Sequence, residues 1–261
     1  MKWPRLCATS LAIARRGAVA RDVVAWVTRQ MILSLDNVST TPNLESVVMP
    51  AYDSTTALIV VDVQNDFADP GGSLYVKTGE QVVALINDEI ARAVAAGARV
   101  YYTQDWHPES TPHFAKDGGA WPVHCVMDTW GAELHPALAI GGPVVRKGSN
   151  GEDGYSGFSM RDPASGETVP TPLGDLLAEA GVTRLVVCGL ATDYCVKATV
   201  LDSRERGFPV TVLGNAIRAV DLEPGDGDRA VEAMFDAGAL LESRAAVGEA
   251  GGPAGDAQAD G

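Results

Sequence analysis

No apolar run in the 261-residue sequence approaches the roughly 18 residues that a bilayer-spanning helix needs, so no membrane partner is expected. Positive charge is scarce: 20 Lys and Arg stand against 34 Asp and Glu, a formal net charge of -14. That balance repels phosphate backbones and anionic lipid surfaces, which argues against nucleic acid and against membrane docking. Cysteine is limited to Cys7, Cys125, Cys188 and Cys195. Four such residues do not read as a disulfide framework at this length, and a reducing, cytoplasmic setting is the simpler expectation. No glycine-rich phosphate fingerprint follows the first apolar strand, which leaves nucleotide-dependent chemistry without support. Repeats at solenoid periods are also missing.

What remains is a chain with 46% hydrophobic and 21% charged residues, enough for one sizeable core with tails. Composition separates an N-terminal extension (1–50), a central domain (51–245) and a tail (246–261). In the extension Lys2, Arg5, Arg15, Arg16, Arg21 and Arg29 face one acid, Asp22, before residue 33. A targeting segment has this look, and so does an upstream extension ahead of a start at Met49. Residues 23–33 have the spacing of a short amphipathic helix. The stretch 248–261 is mostly Gly, Ala and Asp, with little to bury, and is expected to be disordered.

The central domain alternates two periodicities. Ala57–Val61 is a continuous apolar, β-branched run of the kind a parallel sheet covers on both faces. Glu80–Ala95 carries Val82, Val83, Leu85, Ile86, Ile90 and Val94 at helical spacing, with Gly97 as its stop. Strands are then expected over Arg99–Gln104, Pro143–Lys147, Arg184–Gly189, Pro209–Leu213 and Ala239–Glu242. Helices are expected over Leu173–Glu179, Cys195–Arg206 and Asp228–Ala237. The alternation implies right-handed crossovers and an α/β, doubly wound, mostly parallel sheet. Ligands of such sheets sit beyond the carboxyl ends of the strands. The reactive residues at those ends are Asp62, Asp105, Lys147 and the segment Gly189–Cys195, from four separate strands.

Cys195 lies where the chain leaves a strand and enters a helix, with Thr192 or Asp193 as candidate N-caps. A cysteine in a first helical turn feels the positive end of the dipole, which favours thiolate, and the free N–H groups there can bind an oxyanion. A small buried residue would fit the position equally well. Cys188, inside a strand, reads as structural. Asp62 is placed to accept a thiol proton or to bond a loop. Lys147 stabilises ionised forms if those two groups are near it, and otherwise is a solvated lysine.

Histidine occurs four times, as His107, His113, His124 and His135, and three of these follow Asp105 within a short loop. One carboxylate and three imidazoles suit a divalent zinc, iron or manganese ion with sites left over for water or substrate. His135, in Leu134-His135-Pro136, has no such company. Phe67, Trp106, Trp121 and Tyr155 lie near these motifs and are candidate walls for a flat ring, or ordinary packing residues.

Taken together, the motifs resemble nicotinamidases within the isochorismatase-like cysteine hydrolases. The resemblance rests on Ile59–Phe67, Asp105-Trp106-His107, Trp121–Cys125, Lys147-Gly148 with Tyr155–Phe158, and Gly189–Val196. It covers residues 56–243. It implies a six-stranded parallel sheet in a three-layer fold, a catalytic triad of Asp62, Lys147 and Cys195, and an oxyanion hole from the N–H groups of Ala191 and Cys195. It implies a cis peptide at Leu190-Ala191. It also implies one divalent metal held by Asp105, His107, His113 and His124, and a small carboxamide substrate over Phe67, Trp121 and Tyr155. A homo-oligomer is left open. Two departures bear on substrate range: Tyr194 stands where some relatives have histidine, and Ser149–Gly154 is slightly longer than in close relatives.

Overall fold

A computed structural model describes residues 52–242. The readings for the basic extension and the Gly/Ala/Asp tail lie outside these residues. Among the described residues no helix is long and apolar enough to cross a membrane.

One six-stranded sheet organises the domain, in the order β3-β2-β1-β6-β7-β8. Its strands are β1 (Thr56–Val61), β2 (Arg99–Asp105), β3 (Val144–Lys147), β6 (Arg184–Leu190), β7 (Val210–Arg218) and β8 (Leu240–Glu242), and every pairing is parallel. The intervening β4 (Ser159–Arg161) and β5 (Thr168–Pro170) form a small antiparallel hairpin outside the sheet, which the sequence reading did not anticipate. Those residues are half-buried or exposed, so no apolar alternation marks them.

The central strand explains the two-sided cover. Every residue of β1 is buried. Leu58 and Val60 pack on one face with Val82, Ile86 and Ile90. These come from α2 (Gln81–Ala95), which follows the short α1 (Asn65–Ala68). Ala57, Ile59 and Val61 pack on the other face with Leu173 and Leu177 of α3 (Leu173–Glu179), Val200 of α4 (Lys197–Glu205) and Met234 of α5 (Asp226–Asp236). The period-2 alternation of a strand thus feeds two separate cores.

The chain builds outward from β1 to β2 and β3, then returns to the other side of β1 for β6, β7 and β8. The reversal leaves a crevice beyond the carboxyl ends of the central strands. Close approach there requires glycine: Gly189 has φ +116, and a Cβ on it would meet the Val61 carbonyl oxygen at 2.1 Å. Strand β7 runs on to Arg218, beyond the expected Leu213. Its register jumps from Val187↔Val212 to Gly189↔Ile217, and the irregular pairing hides the continuation.

Candidate active site

The strand ends bring a carboxylate, an amine and a thiol together. Asp62 follows β1 directly and adopts φ +47. Lys147 closes β3 and is fully buried, as is Asp62. Its Nζ lies 2.8 Å from Asp62 Oδ2, contacts Asp105 Oδ1, and is 3.6 Å from Cys195 Sγ. The ligand atoms of Asp62, Asp105 and Cys195 all lie within 4.8 Å of one another. Burial pulls Lys147 towards its neutral form, but the Asp105 and Asp62 carboxylates outweigh it and keep the amine charged. Burial pushes the Asp62 carboxyl up, against the pull of Lys147. Such a carboxyl is suited to take and return a proton.

Cys195 departs from expectation in one respect. Its helix opens with a π-turn, Thr192–Val196, preceded by Ala191 and without a side-chain cap. The Val196 N–H donates to the Ala191 carbonyl at 3.1 Å. Asp193 caps nothing; its two oxygens accept from the N–H groups of Val220 (3.0 Å) and Asp221 (2.9 Å). Burial raises the Cys195 thiol well above its ordinary pKa; Lys147 opposes this, and the Asp62 and Asp105 charges add to the rise. Desolvation therefore favours a resting thiol, which needs a base. The Leu190-Ala191 peptide is cis.

The three histidines converge beside this cluster. Ring centroids are 4.9 Å apart for His107 and His113, 5.3 Å for His107 and His124, and 5.3 Å for His113 and His124. One ring nitrogen from each lies within 4.8 Å of the others. His124 Nδ1 is 2.7 Å from the Pro122 carbonyl, which can only accept, so this nitrogen carries the proton and Nε2 keeps its lone pair. Neither nitrogen of His107 has a hydrogen-bond partner in the protein, although both are buried. Burial lowers the His107 pKa to about 4 and lowers that of His124 as well, so both rings are neutral. Three converging imidazoles, one of them buried with both ring nitrogens unpartnered, fit a metal ion. Asp105 borders this group, with one carboxylate oxygen engaged by Lys147. His135 stands apart, accepting the Ala137 N–H at 3.2 Å.

The thiol and the histidines open on one cavity. Phe67, Trp121 and Tyr155 line it, together with Leu74, Val76, Tyr194 and Val220. Trp121 Nε1 donates to the Tyr155 hydroxyl at 2.9 Å. The Tyr194 ring meets Trp121 edge-on at 4.8 Å. Trp106 is not part of this wall; it packs in the core under the Arg146 guanidinium, 3.8 Å from the ring centroid.

Two supporting residues escaped the sequence reading. Thr103, buried in β2, donates from its hydroxyl to Asp62 Oδ1 at 2.6 Å. Gln64 brackets Asp105, donating to its carbonyl at 2.7 Å and accepting its N–H at 2.8 Å. Only the strand register brings Thr103 to Asp62. Gln64 lies inside the first motif, but nothing in its spacing reveals its partner.

The isochorismatase-domain family profile matches residues 56–246. The nicotinamidase of Escherichia coli is 39% identical over 204 residues, covering 71% of this chain and 93% of its own length. The zinc complex of Pyrococcus horikoshii pyrazinamidase superposes with a TM-score of 0.65 at 38% identity, covering 73% of this chain and 99% of that one. PnC1 from L. infantum in complex with nicotinate has a TM-score of 0.65 at 40% identity, covering 73% and 94% respectively.

Proposed function

The chain belongs to the isochorismatase-domain family, and on that premise we propose that it is an amidohydrolase that converts nicotinamide to nicotinate and ammonia. The observation that carries the reading is the buried Asp62–Lys147–Cys195 cluster opening on the same aromatic-walled cavity as three converging histidines. A thiol beside a base is the apparatus of covalent acyl transfer. The flat walls suit an aromatic ring.

In the proposed cycle Asp62 takes the Cys195 thiol proton, and Lys147 offsets the charge that moves between them. The sulfur attacks the amide carbonyl, and the carbonyl electron pair moves onto oxygen. N–H groups of Ala191 and Cys195 hold that oxyanion; one such donor is worth about 3–4 kcal/mol in comparable sites. Asp62 then returns its proton to the amide nitrogen, the C–N bond breaks, and ammonia leaves a thioester. Asp62 next deprotonates a water that attacks the thioester carbonyl. Collapse breaks the C–S bond, restores the thiol and frees the acid.

His107, His113 and His124, with Asp105 at their border, would hold one divalent ion such as zinc, iron or manganese. When bound, such an ion supplies a Lewis-acid anchor for a ring nitrogen of the substrate. Phe67, Trp121 and Tyr155 hold the ring beside it. The central domain, 51–245, carries the whole apparatus in this reading, and a reducing cytoplasm suits a reactive thiol.

A test is ammonia release by the purified full chain from a panel of nicotinamide, pyrazinamide, a ureido acid and an N-carbamoyl amino acid, before and after chelation and metal return. The expected result is preference for the two ring carboxamides, with KM rising on chelation and recovering on metal return. Faster turnover of the ureido or carbamoyl compounds would place the chain with a different amidase branch. Unchanged kinetics after verified metal removal would overturn the ring-anchoring role.

A further inference from the structure

We propose that Asp153 is a positioning residue for the metal centre, fixing the tautomer and orientation of His113 through its Nδ1. This rests on the reading above, in which the three histidines hold an ion.

His113 Nδ1 lies 2.8 Å from Asp153 Oδ1. The pair is built into the protein: the His113 side chain is 7% exposed, and Oδ1 itself is buried although the rest of the Asp153 carboxylate reaches solvent. An ionised carboxylate only accepts hydrogen bonds. An unprotonated Nδ1 would set its lone pair against that oxygen at 2.8 Å, so the proton belongs on His113 Nδ1, and the Nε2 lone pair is left for the space shared with His107 and His124. Carboxylates behind ligating imidazoles orient the ring and raise its basicity.

The backbone around Asp153 is braced for this task. Its N–H donates to the Arg161 carbonyl at 2.8 Å, and the Arg161 N–H donates back, which pins it to β4. Asn150 is tied to Glu152 by two bonds, of 2.8 and 2.9 Å. Thr111, two residues before His113, donates from its hydroxyl to the Gly151 carbonyl at 3.2 Å. At the start of the same segment, Gly148 has φ +82, and a Cβ there would come within 2.6 Å of the His107 ring. One short segment, 148–153, thus sets the position of two of the three imidazoles. The β4–β5 hairpin, otherwise without a task, is its buttress.

The test uses chelator-stripped full-length protein and zinc(II), with affinity read by competition against a chromophoric chelator. Asp153→Ala is expected to weaken zinc binding by about 10- to 100-fold. Asp153→Asn keeps an oxygen able to accept from Nδ1–H and is expected to restore part of the loss. Asp162→Asn alters the same hairpin away from His113 and is expected to bind as wild type. Melting of the zinc-free proteins should differ little among the four. Wild-type affinity in Asp153→Ala, or an equal loss in Asp162→Asn, would overturn the assignment while leaving the histidine site standing. A wild-type protein that binds no zinc, iron(II) or manganese(II) would instead overturn the metal reading and the assignment with it.

Discussion

The two halves of the cavity are made in different ways. The Asp62–Lys147–Cys195 half sits at the carboxyl ends of β1, β3 and β6, within 6% exposure, and Lys147 meets Asp105 on the neighbouring β2 and Asp62 beyond it. The histidine half sits on the long connection from β2 to β3 and is positioned by loop contacts: Pro122 of the same connection behind His124, Asp153 behind His113, Gly148 against His107. Rigid strand ends suit bond breaking, where small displacements are costly. Braced loops suit ring selection, because their sequence changes without disturbing the sheet. Damage to the first half should therefore fall on kcat and on stability, and damage to the second on binding.

Short of removing the sulfur itself, the largest effect is expected at the base. Asp62→Asn removes the proton acceptor but keeps the shape, and kcat should fall by about 10²- to 10⁴-fold, read by ammonia release. Lys147→Met leaves the Asp62 and Asp105 carboxylates buried without their common counter-ion. It should cost about 3–5 kcal/mol in denaturant unfolding, besides its effect on turnover. Thr103→Val deletes one charged hydrogen bond of about 1.5–3 kcal/mol and should lower kcat about tenfold or more with KM nearly unchanged. A rise in KM alone would blur the division between the halves. Trp121→Phe removes the donor to Tyr155, worth about 1 kcal/mol, and shortens a ring that lines the cavity, and should raise KM a few-fold with little change in kcat.

The same division governs what was legible in the sequence. Strand ends are punctuated by the sequence itself: Val61 gives way to Asp62, and Gly189 precedes the turn to Cys195. Apolar periodicity was therefore enough to bring four strand tips to one edge, and the resemblance supplied the roles. Contacts made across strands or between loops leave no such mark. Thr103 reaches Asp62 only through the pairing of β1 with β2. Asp193 looks like a helix cap, yet Val220 and Asp221 take both its oxygens from a loop 27 and 28 residues away. The helix dipole argued for a thiolate at Cys195, but the burial that opposes it depends on tertiary packing. Trp106 sits beside His107 in the chain and still turns into the core, under Arg146.

Replacing the sulfur tests the central claim most directly. Ammonia release from nicotinamide should be compared between the metal-loaded wild type and Cys195→Ala, with circular dichroism and zinc affinity establishing that the variant is folded and loaded. The expected result is unaltered zinc binding with release reduced to the uncatalysed background. A folded, loaded Cys195→Ala that releases ammonia near the wild-type rate would contradict the account.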